Sequence, residues 1–159
     1  MPNTETTLEG GLSNTVTALA ALLDRIGPAV VIVHSQSGVV GLDLVRQRAS
    51  LVRALVSVEG GCDDFTAADA AAHFTRVPFV SVWGDFSVGA KNTVNGDKRR
   101  EACREAARLI TSPRGRGSLL MLPDVGIRGN SHNMMQEKNS DAIAEVIFQW
   151  LEKTLPAQR

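Results

Sequence analysis

Ser35 closes an apolar, β-branched run, Val30-Val31-Ile32-Val33, and a helix-compatible stretch begins directly after it. A serine at such a junction sits on a tight turn. Its hydroxyl is lifted clear of the sheet, and the first N–H groups of the next helix lie beneath it, as in a nucleophile elbow. A hydroxyl becomes a useful nucleophile only when a histidine can take its proton. That histidine in turn needs a carboxylate to fix its tautomer and stabilise its charged form. The sequence holds three histidines. His132 lies in a Gly/Asn/Ser loop from which an imidazole can swing over a strand end, whereas His34 adjoins the serine but is expected on the opposite side of its strand, and His73 falls in a connecting segment. For the acid, Glu59 ends the second apolar run and has one more methylene of reach than Asp85, which follows Gly84 and is the alternative. The chemistry these residues can do together is acyl transfer.

The frame G-x-S-x-G centred on Ser35 reads Val33-His34-Ser35-Gln36-Ser37, so both outer glycines are replaced. Centring it on Ser37 instead puts Val39 where the helix must pack and moves the serine further past the strand end. Ser35 is therefore the preferred nucleophile, Ser37 the alternative, and a helix cap the other use of either serine. In the preferred frame the backbone N–H of Gln36 is the oxyanion donor.

The elements that must position these groups are read from apolar periodicity. Segments 29–33, 53–58, 78–83 and 118–122 are continuous in hydrophobicity, as strands of a parallel sheet covered on both faces should be. Helical spacing is found over 14–26, 37–48, 96–110 and 140–154. The alternation predicts an α/β fold with a mainly parallel sheet of four strands flanked by helices and right-handed crossovers. Sites in such sheets lie beyond the carboxyl ends of the strands, where this chain delivers a serine, an acid, a second acid and a histidine in that order.

At 159 residues one domain is expected over 1–159, with 1–13 flexible. Lysine plus arginine balances aspartate plus glutamate at 17 each, which gives no electrostatic reason for a nucleic-acid or anionic-membrane partner. The expected ligand is a small, weakly charged molecule. No Gly-x-Gly-x-x-Gly follows the first strand and no Walker lysine occurs, so no nucleotide cofactor is expected, nor any metal. The start of the chain lacks the marks of a secretory leader, which makes the cytoplasm the default compartment unless a parent protein is exported. Cys62 and Cys103 read most simply as buried free thiols, with a single bridge as the reading for an exported parent.

Four blocks, His34-Ser35-Gln36-Ser37-Gly38, Val56-Ser57-Val58-Glu59, Val82-Trp83-Gly84-Asp85 and Gly129-Asn130-Ser131-His132-Asn133-Met134-Met135-Gln136, together resemble the C-terminal half of a small branch of bacterial-type α/β-hydrolase serine esterases. The resemblance runs from about residue 29 to 151. It implies a carboxylic-ester hydrolase with a triad of Ser35, His132 and Glu59 and an acyl-enzyme intermediate. The commoner position for the acid in such hydrolases follows the third strand, and Ser87 stands there. The resemblance also implies that upstream strands, and with them the second oxyanion donor, are missing. The corresponding expectation is a truncated chain that is either an esterase in its own right or a catalytically silent remnant, pairing with a copy of itself or with a separate N-terminal fragment.

Overall fold

The computed structural model describes residues 8–87, 89, 96–111 and 115–155. Helix α1 (Leu8–Ile26) leads into strand β1 (Ala29–His34), followed by α2 (Ser37–Arg48), β2 (Val52–Val58), α3 (Ala67–His73), β3 (Phe79–Trp83), α4 (Gly96–Thr111), β4 (Gly117–Met121) and α5 (Ser140–Thr154). The four strands form one parallel sheet in the order β1-β2-β3-β4. This is the α/β architecture expected from the alternation of apolar runs and amphipathic stretches. Strand and helix limits agree with the sequence-based spans to within a residue, except at the start of α1.

Register aligns the strand ends that matter. His34 stands opposite Val58, and Val58 opposite Val82. The ladder continues one bond further at each end: Ser35 N–H donates to the Val58 carbonyl at 3.1 Å and Glu59 N–H to that of Val82 at 2.9 Å. Ser35 and Glu59 thus leave the sheet at one level on adjacent strands.

Two apolar layers hold the sheet from opposite sides. Val33 and Leu55 face a core with Ala20 and Leu23 of α1, Leu42 and Val45 of α2, and Ala106 and Ile110 of α4. Val56, Val58, Val80 and Val82 face the other way onto Ile143 and Ile147 of α5, joined by the fully buried Met134. That double covering is why these strands read as unbroken apolar runs and not as alternating ones. β1 is less protected. Among the described residues it pairs with β2 alone, and Ile32, on its α5 side, is 54% exposed. Among the described residues no helix is long and apolar enough to cross a membrane.

Two expectations are corrected. Of the segment 1–13 expected to be flexible, residues 1–7 lie outside the described residues, but α1 already runs from Leu8. Gly10 and Gly11 are unfavourable within a helix, each by about 1 kcal/mol relative to alanine. The stripe Val16, Ala20 and Leu23, each buried against the body of the protein, outweighs that local preference. Cys62 and Cys103, read first as free thiols, are joined in a disulfide with Cα atoms 4.9 Å apart. Their separation of 41 residues, across the β2 end and the middle of α4, carried no local sign of the pairing.

Candidate active site

Ser35 has φ of 58°, a left-handed backbone that a non-glycine residue holds only when its surroundings enforce it, at a cost of about 1–3 kcal/mol. The enforcement is visible. Its N–H is bonded to Val58, and its carbonyl accepts from Gly38 N–H at 3.0 Å and Gly61 N–H at 3.2 Å. The two glycines missing from the usual frame are replaced in function by two others. A Cβ on Gly38 would lie 2.4 Å from Gly61 N, so the start of α2 and the loop after β2 approach as bare backbone. A Cβ on Gly41 would lie 3.1 Å from Val33 Cγ2, so the bulk of Val33 is accepted because the helix residue facing it has none. Gln36 is the N-cap of α2, and no side chain caps that end, which removes the capping role for Ser35 and Ser37. The first N–H groups of α2, Gln36 among them, have no partner within the helix.

His132 Nε2 lies 2.7 Å from Ser35 Oγ, and His132 Nδ1 lies 2.8 Å from Glu59 Oε2. A carboxylate only accepts, so Nδ1 carries the proton and Nε2 presents its lone pair to the serine hydroxyl. Glu59 is fully buried, whereas the imidazole side chain is 21% exposed. Solvation at a strand end is therefore not what Glu59 does. A buried carboxylate must be hydrogen-bonded, and this one also accepts from Gly84 N–H at 2.9 Å and from the Ser87 hydroxyl. Glu59 itself sits at φ of 45°. Its carbonyl accepts from Arg99 Nη2 at 2.8 Å, and the neighbouring Gly60 carbonyl lies 3.3 Å from Cys103 Sγ. α4 thus holds the loop that carries the acid through an arginine and a disulfide.

The loop bearing His132 is held as closely. Asp85 accepts from Gly129 N–H at 3.0 Å and Asn130 N–H at 2.9 Å. Those bonds, Gly129 first, hold its carboxyl below the usual carboxylate range, with Arg128 adding attraction and partial burial opposing. The Asn130 side chain, buried, exchanges amide hydrogen bonds with Asn139 at 2.7 and 3.2 Å, and Glu137 accepts from Ser131 N–H at 2.8 Å. Gly84 allows the close approach, since a Cβ there would lie 2.4 Å from the Asn130 carbonyl oxygen.

The structure therefore brings Ser35, His132 and Glu59 together and leaves two alternatives outside. Ser37 is the exposed first residue of α2. Asp85 has its carboxylate committed to the backbone of the histidine loop and holds the loop, not the imidazole. His34 lies on the face of its strand expected for it, yet its ring centroid is 4.7 Å from that of His132, which was not expected. The residues around Glu59 were invisible as site residues in the sequence. Ser87 alone had a signal, standing where an acid is commoner. Met134 fills the core, and Met135 is 47% exposed. Among the described residues no cluster of His, Cys, Asp and Glu is placed to hold a metal ion. An imidazole so arranged can draw the proton from a hydroxyl while the carboxylate balances the charge it gains.

With four parallel strands flanked by helices and a serine on a left-handed turn after the first of them, this chain resembles part of an α/β-hydrolase fold. Its structural neighbours include esterases. A bacterial esterase superposes with a TM-score of 0.79 at 29% identity, over 87% of this chain and 42% of the esterase. A thermophilic esterase at 17% identity superposes with a TM-score of 0.59, over 90% of this chain and 73% of its own, which bears on the fold alone. In sequence, the chain is 27% identical over 179 aligned positions to the probable secreted lipase phiG of a fungal species, covering 86% of this chain. The chain spans about half (49%) of the length of that curated relative. No protein-family model matches it.

Proposed function

We propose that the chain carries the catalytic end of a serine hydrolase acting on small carboxylic esters. Ser35 Oγ attacks the ester carbonyl as its proton passes to His132 Nε2. Glu59 stabilises the imidazolium so formed, and Gln36 N–H receives the developing oxyanion. Collapse of the tetrahedral intermediate breaks the bond to the alkoxy oxygen, which leaves as alcohol with the proton from His132, and Ser35 is left acylated. Water, deprotonated by the same imidazole, then releases the acid.

The observation that carries this reading is the unbroken relay from Ser35 Oγ through both ring nitrogens of His132 to a buried carboxylate, with contacts of 2.7 and 2.8 Å. Similarity to a bacterial esterase and a probable secreted lipase supports the ester as substrate class. The disulfide supports an oxidising compartment, hence export, over the cytoplasm. With p-nitrophenyl acetate, the expected result is a burst of one nitrophenolate per active site, absent in Ser35→Ala. A folded chain without a burst, or a burst that survives Ser35→Ala, contradicts the proposal.

An outer edge of β1 that is unpaired among the described residues, together with Gln36 N–H as the one oxyanion donor in the mechanism above, favours a second reading of turnover, in which this chain is slow alone. A missing donor typically costs about 10²–10³ in turnover. A strand added along β1, from a second copy or a separate segment, would then raise the rate. Turnover per chain that is constant from nanomolar to high micromolar concentration argues against self-association as its source.

A further inference from the structure

His34 ends β1, one residue before the turn that carries Ser35. Its side chain falls on the α5 side of the sheet, in phase with Ile32 and out of phase with Val33, which belongs to the opposite core. From there Nε2 lies 2.7 Å from the backbone carbonyl of His132. A carbonyl can only accept, so Nε2 carries the proton and donates. The two ring centroids lie 4.7 Å apart, and the ring planes are tilted by 40° to one another.

The position of His132 is thus set by two different arms. Glu59 holds Nδ1 of the side chain, and His34 holds the carbonyl of the same residue. The second arm matters because of the chain on which His132 sits. Gly126 and Gly129, both at positive φ, open this loop, and the Asp85, Asn139 and Glu137 contacts stop at Ser131. Past Ser131, His34 bonds the histidine's own carbonyl, and the next holds are on its neighbours: Asn133 N–H donates to Ser131 Oγ at 3.3 Å and Met134 is buried in the core. Because His34 is covalently next to Ser35, the bond ties the base to the strand end that carries the hydroxyl.

We infer that His34 is a positioning residue that fixes the reach of His132 to Ser35 by hydrogen-bonding its backbone carbonyl. This rests on the Ser35–His132–Glu59 reading. It goes beyond that reading in giving the residue before the serine a task of its own: a donor is required at the position of Nε2, and an aromatic ring without one does not suffice.

The test compares His34→Phe, which keeps a ring and loses the donor, with His34→Gln, whose amide N–H reaches about as far. Both are made in the full chain and compared with wild type and Ser35→Ala in p-nitrophenyl acetate hydrolysis, thermal melting and proton NMR of the His132 Nδ1–H held by Glu59. His34→Phe is expected to lower kcat roughly 10- to 100-fold, as about 1 Å of misplacement does. Its KM stays within twofold, and the downfield Nδ1 proton broadens or moves. His34→Gln is expected to regain most of kcat and the wild-type resonance. Wild-type kcat and resonance in His34→Phe would overturn the inference, as would equal loss in both variants in step with a lowered Tm. If wild type itself shows no hydrolysis that Ser35→Ala removes, the hydrolase reading fails, while the resonance in His34→Phe still decides the positional claim.

Discussion

Ser87, at the end of the turn after β3, donates its hydroxyl to the buried carboxylate of Glu59 at the end of β2. The residue standing where an acid is commoner has become a donor to an acid one strand away. The exchange is coherent: a carboxylate at both places would put two negative charges in one buried space, and one would have to take up a proton. Replacing Ser87 by alanine removes a charge-assisted hydrogen bond and is expected to cost about 1.5–3 kcal/mol in stability. It should lower kcat for ester hydrolysis more than it changes KM. Replacing it by aspartate should be worse on both counts. Melting curves and steady-state kinetics of the two variants check the order.

The disulfide closes a segment that begins just after the acid and ends in α4. By the loop-entropy relation, a bridge across 41 residues stabilises by about 4 kcal/mol. Reduction, or Cys62→Ala with Cys103→Ala, should lower Tm by several degrees. It should also depress activity before the fold is lost, because the Glu59 loop is the part set free. Activity and near-ultraviolet circular dichroism followed along one titration with reductant would show the two losses separate, activity first.

Asp85 gives a pH dependence with a definite sign. Its folded pKa is depressed, by the Gly129 N–H first, so the contribution is complete above the unfolded value of about 3.9 and disappears as pH falls through the folded one. The Tm difference between wild type and Asp85→Ala should be constant from pH 5 to 8 and shrink toward zero below about pH 4. At neutral pH Asp85→Ala should lower kcat roughly tenfold by loosening the histidine loop. Calorimetry across that range is the check.

Gly38 gives a steric prediction. Alanine there brings Cβ to 2.4 Å from Gly61 N, a backbone atom with no room to yield. Gly38→Ala should destabilise by about 1–3 kcal/mol. It should also impair ester hydrolysis, since Gly61 N–H is one of the bonds holding the Ser35 turn.

How much of this was legible in the sequence follows from what kind of signal each feature leaves. Parallel strands buried on both faces leave unbroken apolar runs, so β1 to β4, α2 and α4 could be placed to within a residue, whereas the short α3 was given no span. Ser35, Glu59 and His132 were legible because chemistry limits which residue types can do the work and strand ends limit where they can stand. What was hidden is what depends on contact between distant segments. Val33 in place of glycine looked like a departure until Gly41 appeared opposite it. Asp85 looked like a second acid because composition does not say which way a carboxylate is turned. Cys62 and Cys103 looked free because 41 residues and two elements separate them. His34 was assigned by strand alternation to the side away from its neighbour, correctly as to face, but the loop carrying His132 crosses to that same face.

Whether His132 and Glu59 activate Ser35 is read out by labelling the folded chain with a fluorophosphonate, which reacts with a serine whose hydroxyl has been activated. One adduct per chain is expected, on Ser35, formed more slowly by orders of magnitude in His132→Ala. A folded chain that takes up no label, or takes it up on Ser37 or elsewhere, would contradict it.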